Sequence, residues 1–199
     1  TTGLKFTFKK EDKLVGMVFA TSSEDAYYFP LRHRRIENVF DEDELTERLI
    51  EDFSEILTEI PLIVHNGSFD WRVMYDECGI SINIKLDTLI LFKLTLWNED
   101  RTLALNLKDL SKTLLGHDSL TLDDLIIGGW SKNSDIDFRD LPLETTKYYG
   151  CMDGTNTFQI YEYAKKQGLI EYYNASHVTA LESRFSKVIG YEEYYGHCV

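Results

Sequence analysis

The chain has 199 residues, which is enough for one α/β domain with a full hydrophobic core and too few for two large domains. Its 34 acidic residues outnumber its 21 lysines and arginines, and the net charge of −13 argues against a broad electrostatic attraction to polyanionic nucleic acid. The sequence has no apolar run long enough to span a membrane, and its three cysteines lack the paired spacing of zinc or disulfide sites. We therefore expect a cytoplasmic protein without a membrane partner, and any contact with nucleic acid should be local.

The first part of the chain predicts a small antiparallel sheet followed by a surface helix. Residues 5–31 contain alternating apolar runs separated by polar clusters, a pattern that is typical of strands joined by tight turns. Residues 41–44 are all acidic and indicate the start of a helix. That helix should bury one stripe of apolar side chains, formed by Leu45, Leu49, Phe53, Ile56 and Ile60.

A short buried strand and a second helix come next. Pro61 ends the first helix, and the apolar run Leu62–Val64 predicts a buried strand. Residues 69–78 have a helical pattern that ends at Gly79, a residue type that commonly follows a helix. The chain should therefore pass from strand to helix between residues 65 and 69.

The second half of the chain is predicted to be mainly helical. An apolar stretch covers residues 86–97, and a helix over residues 107–115 should be capped by Asn106. Residues 128–137 are the best candidate for a loop. A long helix should start at Pro142 and continue to about residue 166, and a last helix should cover about residues 175–195.

The strand-to-helix passage carries the first candidate site. Asp70 closes the segment of residues 65–70, directly after the predicted buried strand. In α/β sheets, ligands and metal ions bind at the carboxyl ends of the strands, so a carboxylate there favours a functional role. An Asn-Gly turn followed by Asp70 as a simple helix cap is the alternative interpretation.

A second acid lies on the long helix predicted after Pro142. Tyr149, Asp153 and Asn156 have the spacing of one polar helix face, and they are predicted to lie opposite a packed face that contains Tyr148, Cys151, Thr155 and Phe158. In this arrangement Asp153 can hold a divalent ion while the hydroxyl of Tyr149 orients a water molecule for hydrolysis. The alternative interpretation makes Tyr149 a core residue and Asp153 a solvated acid.

Two glycines flank the acid of the long helix. Gly150 and Gly154 each cost roughly 1 kcal/mol relative to alanine in a helix interior. Such a cost indicates that something approaches the helix backbone closely at this point.

These motifs together resemble a known family. Residues 66–70 are similar to the second motif, and residues 149–153 to the third motif, of the tyrosine-bearing (DEDDy) class of 3′-5′ exonucleases. Thr1-Thr2-Gly3-Leu4 resembles the continuation of the first motif, Asp-x-Glu, whose two acids we expect to precede Thr1 in a longer parent chain. The class includes the proofreading domain of family A DNA polymerases, ribonuclease D and the Werner-type exonucleases.

The resemblance implies a fold and a reaction. The fold would be α/β, a ribonuclease-H-like mixed sheet whose first strands are antiparallel and later ones parallel, flanked by helices. Two divalent cations, Mg²⁺ or Mn²⁺, would be held by Asp70 and Asp153 together with the two acids of the first motif. Tyr149 would position the attacking water. The residues implied to bind nucleic acid are Thr1, Leu4, His65, Asn66 and Phe69.

The resemblance also divides the chain and suggests its partners. Residues 1–170 resemble the exonuclease domain, and residues 171–199 resemble a linker with the helix that opens the polymerase domain in family A enzymes. The implied partners are the single-stranded 3′ end of a DNA primer and the polymerase domain of the same parent chain. An RNA-trimming exonuclease of the ribonuclease D type and an inactive scaffold module are the alternatives.

Several aromatic and basic residues have two possible roles. Trp71, Trp97 and Trp130 can stack on bases, but such residues more often belong to a core or anchor a loop. The one basic cluster, residues 32–35, can follow a DNA backbone, although a solvated loop is the simpler interpretation.

Overall fold

The computed structural model describes residues 14–95, 104–116, 118–120, 137–171 and 178–195. The first half contains β1 (Gly16–Ala20), β2 (Ala26–Pro30), α1 (Leu45–Glu59), β3 (Leu62–Val64) and α2 (Gly67–Cys78). The second half contains β4 (Ile84–Asp87), α3 (Thr88–Leu94), α4 (Leu107–Leu115), a short 3-10 helix (Phe138–Asp140), α5 (Leu143–Lys166) and α6 (Val178–Tyr195). The predicted helices are confirmed. The loop predicted at 128–137, apart from its last residue, lies outside the described residues, as do Trp97 and Trp130.

The strands form the mixed α/β arrangement that the resemblance to ribonuclease-H-like exonucleases predicts. Strand β1 pairs with β2 in antiparallel register, from Gly16 opposite Pro30 to Ala20 opposite Ala26. Strand β3 pairs with β4 in parallel. Within the described part of the chain these are two separate two-stranded sheets, and helix α5 packs against strands of both. The fold class is therefore confirmed. The described strands form two sheets, and helix α5 contacts both of them.

Helix α1 buries the predicted apolar stripe, except for two residues near the end of the helix. Its buried residues are Leu45, Leu49, Phe53 and Leu57. Ile56 and Ile60 fall within the same angular range of the helix, yet 39% and 51% of their surfaces are exposed. Both side chains line a cavity instead of meeting another packed element. The prediction that they are buried was wrong for this reason.

Two residues of the basic cluster, Arg32 and Arg34, form ion pairs with acids of the same fold. The guanidinium of Arg32 is buried and forms a two-pronged ion pair with Glu77, with N–O distances of 2.9 Å and 2.6 Å. Arg34 pairs with Asp137 at 3.2 Å and with Asp140 at 2.6 Å. Both interpretations of this cluster, a DNA-backbone contact and a solvated loop, are wrong for Arg32, because its charge is already neutralised inside the fold.

The Arg32–Glu77 pair gives a first prediction. Changing Glu77→Gln should lower the free energy of unfolding by about 2 kcal/mol, because the buried guanidinium keeps a hydrogen-bond acceptor but loses its counter-charge. Urea denaturation followed by circular dichroism measures the change. Glu42 is the matched control, since it also contacts Arg32, at 3.6 Å, but its side chain is 78% exposed. Glu42→Gln should change stability by less than about 0.5 kcal/mol, and equal losses in both variants would contradict the prediction.

The two glycines of α5 are explained by packing against β1. A Cβ atom at Gly150 would lie 2.8 Å from Val18 Cγ2, and one at Gly154 would lie 2.9 Å from Val18 Cγ1. The close neighbour inferred from the sequence is therefore the side chain of a strand residue, Val18.

The polar and packed faces of α5 also differ from the prediction. Tyr148 is 62% exposed, whereas Asn156 is 1% exposed and donates to Ser119 Oγ at 2.7 Å. Tyr148 was wrongly assigned to the packed face, because α5 meets β1 through Gly150 and Gly154 and not through Tyr148.

The last helix, α6, packs on α2 and β4. Trp71 of α2 is fully buried, and its ring lies 4.7 Å from the ring of Tyr75 and 4.3 Å from the ring of Tyr191 on α6. Of the two roles considered for Trp71, the structure favours the core role. Among the described residues, no helix is both long enough and apolar enough to cross a membrane.

Candidate active site

The first candidate acid lies where β3 passes into α2. Asn66 caps the helix in the left-handed conformation, with φ 66° and ψ 53°. Gly67 follows because a side chain does not fit there: its Cβ would lie 2.6 Å from Val64 Cγ2 and 2.9 Å from Ile84 Cδ1. This tight turn directs the chain into α2 and places Asp70 in its first turn. An acid at that position interacts favourably with the helix dipole.

A third carboxylate, that of Asp87 at the end of β4, holds this turn in place. Its Oδ1 accepts hydrogen bonds from the backbone N–H of Asn66 at 3.1 Å and of Leu89 at 3.0 Å. Its Oδ2 accepts from the N–H of Gly67 at 2.8 Å and from the hydroxyl of Ser186 at 3.2 Å. Asp87 is only 2% exposed, so the carboxylate is buried and saturated with donors. Its role is to shape the turn before Asp70.

The second candidate acid lies on α5 among groups from α4. Asp153 Oδ1 is buried, accepts no hydrogen bond from a described residue, and lies 3.8 Å from Lys108 Nζ. The same ammonium group lies 4.0 Å from the ring centre of Tyr149, one turn before Asp153. Lys108 also donates to the carbonyl of Leu120. Tyr149, Asp153 and Lys108 therefore form one polar cluster.

The two candidate acids line one cavity of about 830 Å³. Asp70 and Asp153 both line it, and so do His65 and Phe69. Its remaining walls are mainly apolar side chains of β1, α1 and β3. Asn66 and Tyr149 were predicted for the same site, but they are not among the lining residues. The catalytic and binding roles of all these residues remain predictions.

Burial gives both acids unusual proton affinities. Burial, followed by the neighbouring Asp87 carboxylate, raises the pKa of Asp70 to about 7. Burial raises the pKa of Asp153 to about 6, against the opposing influence of the Lys108 ammonium. Burial and the charge of Asp153 raise the pKa of the Tyr149 phenol, which therefore keeps its proton at neutral pH. Perturbed acids facing one cleft are typical of functional sites.

The structure places two of the other residues predicted to bind nucleic acid, His65 and Phe69, and does not describe the remaining two. His65 is partly buried, its Nδ1 lies 2.9 Å from the hydroxyl of Thr88, and burial lowers its pKa. Phe69 packs against the core, and the guanidinium of Arg72 lies 5.7 Å from its ring centre. Thr1 and Leu4 lie outside the described residues.

Sequence reasoning missed the roles of Asp87, Ser186 and Lys108. A signal for Asp87 was available: it ends a second apolar strand, and the ends of parallel neighbours meet at one edge of a sheet. The sequence carries no comparable signal for Ser186, a serine within a helix of mixed polar and apolar residues. The contact of Lys108 with Asp153 depends on how α4 packs against α5, which the local pattern does not specify.

The site fits a divalent cation in part. A buried carboxylate oxygen of Asp153 that accepts no hydrogen bond from a described residue, and a second carboxylate at Asp70, are the hard oxygen ligands that Mg²⁺ and Mn²⁺ prefer. Among the residues that the structure describes, however, no three His, Cys, Asp or Glu side chains are grouped closely enough to hold a metal ion. Two carboxylates supply only part of an octahedral shell.

Comparison with known proteins defines the class. A family model described as 3′-5′ exonuclease, of the DNA polymerase A type, matches residues 7–168. The match covers most of the chain and includes both candidate acids, so the chain belongs to this 3′-5′ exonuclease family, whose domains generally use divalent metal ions. No curated protein matches the chain. Helix α6 lies beyond the matched residues.

Proposed function

We propose that this chain is the proofreading 3′-5′ exonuclease domain of a DNA polymerase, and that it hydrolyses the 3′-terminal phosphodiester of a DNA primer. The observation that carries the proposal is the shared cavity of Asp70 and Asp153, two acids far apart in the sequence. The acidic net charge of the chain fits this reading, because a narrow cleft needs to attract only a few unpaired nucleotides.

The reaction would be a metal-assisted hydrolysis. Asp70 and Asp153 would bind two divalent cations, Mg²⁺ or Mn²⁺, which activate water and neutralise charge on the leaving 3′ oxygen. Tyr149, which stays protonated, would hold the attacking water through its hydroxyl group. Lys108 would steady the Asp153 carboxylate by charge at 3.8 Å. His65, Asn66 and Phe69, together with Thr1 and Leu4, would contact the terminal nucleotides.

The ligand set needs further acids, and we propose where they attach. Strands β1 and β3 line the same cavity, and neither pairs with a second neighbour among the described residues. A strand placed between them would bond to both edges and bring an Asp-x-Glu segment to the cleft. A chain without those acids should bind cations weakly and degrade DNA slowly.

Helix α6 would link the nuclease to the polymerase domain. It lies beyond residues 7–168, yet it packs on α2 and β4 of the nuclease core. This placement supports a division into an exonuclease domain of residues 1–170 and a connecting segment of residues 171–199.

The test is a nuclease assay on single-stranded DNA and RNA oligonucleotides labelled at the 5′ end, with Mg²⁺, with Mn²⁺ and with EDTA. We expect stepwise shortening from the 3′ end that requires a metal ion. Asp153→Asn should slow it by about a hundredfold or more, because it removes a charged oxygen ligand. Asp76→Asn, at an exposed position of α2, is the control and should keep full activity.

The same assay separates the alternatives. Much faster shortening of RNA than of DNA would favour an RNA-trimming enzyme. A version extended upstream through Asp-x-Glu should be far faster than the present chain, and equal rates would contradict the proposed ligand set. No metal-dependent shortening by the extended version would leave the scaffold role and overturn the nuclease proposal.

A further inference from the structure

Asp87 connects the candidate site with the last helix. Its Oδ2 accepts two hydrogen bonds, one from the backbone of Gly67 and one from the hydroxyl of Ser186 on α6. Ser186 is 1% exposed, and the contact joins residues 99 positions apart in the chain. A buried carboxylate is stable only when donors satisfy its oxygen atoms, so the Ser186 hydroxyl helps to keep Asp87 in its observed orientation.

The orientation of Asp87 matters because it fixes the turn. Asn66 adopts the left-handed conformation, with φ 66°, which asparagine tolerates but does not adopt by default. The hydrogen bonds that the N–H groups of Asn66 and Gly67 donate to Asp87 select that conformation. Asp70 follows three residues after Gly67, on the helix that the turn directs.

A second contact ties α6 to the same region. A Cβ atom at Gly190, one turn after Ser186, would lie 2.5 Å from Cε3 of Trp71. Trp71 is fully buried and directly follows Asp70 in the chain. Helix α6 therefore lies against α2 with no space to spare, close to both the turn and the acid.

We propose that Ser186 is a positioning residue: through Asp87 it couples the docking of helix α6 to the turn that places Asp70 in the cleft. The proposal rests on the nuclease function only for its effect on rate. The structural link from Ser186 to Gly67 stands on the hydrogen bonds alone. It makes the last helix a control element of the site, so that a change in how α6 docks changes turnover.

The test compares Ser186→Ala with Ser186→Thr, which keeps a hydroxyl group, and with Ser111→Ala. Ser111 is the matched control, because it is also a fully buried helical serine, but its hydroxyl donates to a carbonyl of its own helix at 2.7 Å. The first readout is hydrogen exchange at the Gly67 amide, with the Ile160 amide of α5 as the reference for global stability.

In Ser186→Ala, exchange at Gly67 should become about five- to tenfold faster relative to Ile160, as expected for one weakened hydrogen bond. Ser111→Ala should leave that ratio unchanged, and Ser186→Thr, which keeps the hydroxyl donor, should raise it less than Ser186→Ala does. An unchanged ratio in Ser186→Ala would overturn the proposal, whether or not the chain is a nuclease.

The second readout is turnover of single-stranded DNA in the presence of Mg²⁺ or Mn²⁺. Ser186→Ala should lower kcat severalfold and leave KM nearly unchanged, because the turn positions a catalytic acid. Normal kcat despite faster exchange at Gly67 would overturn the coupling. Absence of nuclease activity in the unmodified protein would refute the proposed function instead, and the exchange ratio would still decide the structural link.

Discussion

Asp70→Asn should stabilise the metal-free protein at about pH 8, by about 2–4 kcal/mol, and the advantage should vanish at about pH 4. Burial and the charge of Asp87 raise the pKa of Asp70 from 3.8 to about 7, so the folded protein binds a proton that the unfolded chain releases. The contribution of Asp70 to the stability of the unmodified protein should therefore fall as the pH rises from about 4 to about 8. Asparagine cannot ionise, so its variant escapes this loss.

Thermal and urea denaturation in EDTA, over this pH range, measure the effect. Asp153→Asn should show the same trend with a smaller amplitude, because the pKa of Asp153 is raised only to about 6. Asp76→Asn changes an exposed acid of α2, the helix that holds Asp70, and should shift stability by less than about 0.5 kcal/mol at any pH. If Asp70→Asn were no more stabilising at about pH 8 than at about pH 4, the two acids would not share a buried, cation-free cleft.

The sequence predicted most of the fold because its signals are local. Asn106 and Gly116 bracket α4 as a cap and a left-handed end, and Gly79 ends α2 in the same way. The positions of Asp70 and Asp153 within their helices were also predictable, since the strand-to-helix passage and the spacing of Tyr149 and Asp153 are patterns within one segment.

The errors arose where distant segments meet. Tyr148 was expected to be packed, but the neighbour of α5 is β1, which contacts Gly150 and Gly154 instead. Arg32 looked like part of a surface cluster until Glu77, 45 positions later, was placed beside it. Periodicity reports which residues share a face, and it does not report which element covers that face.

The glycines of α5 show how a functional explanation and a packing explanation differ. Their position beside Asp153 suggested a close approach to the backbone, and that inference was right. The approaching group is Val18 of β1, so the glycines bring α5 close enough to the sheet for Asp153 to reach the cavity. Their contribution to the site is therefore indirect.

Trp71→Ala should be the most damaging single truncation, with a loss of about 3–5 kcal/mol in the free energy of unfolding. Trp71 has no exposed surface, its ring contacts Tyr75 and Tyr191, and its indole N–H donates to Ser81 Oγ at 3.0 Å. Removing it opens a cavity between α2 and α6 that the rigid helices cannot fill.

Urea denaturation followed by circular dichroism checks the loss, and hydrogen exchange locates it. Tyr148→Ala removes another large aromatic ring, but one that is 62% exposed, and it should cost less than about 1 kcal/mol. Amides of α6 should lose more protection than those of α5, because Trp71 contacts α6 at both Gly190 and Tyr191. A loss in Trp71→Ala as small as that in Tyr148→Ala would mean that α6 does not rest on Trp71.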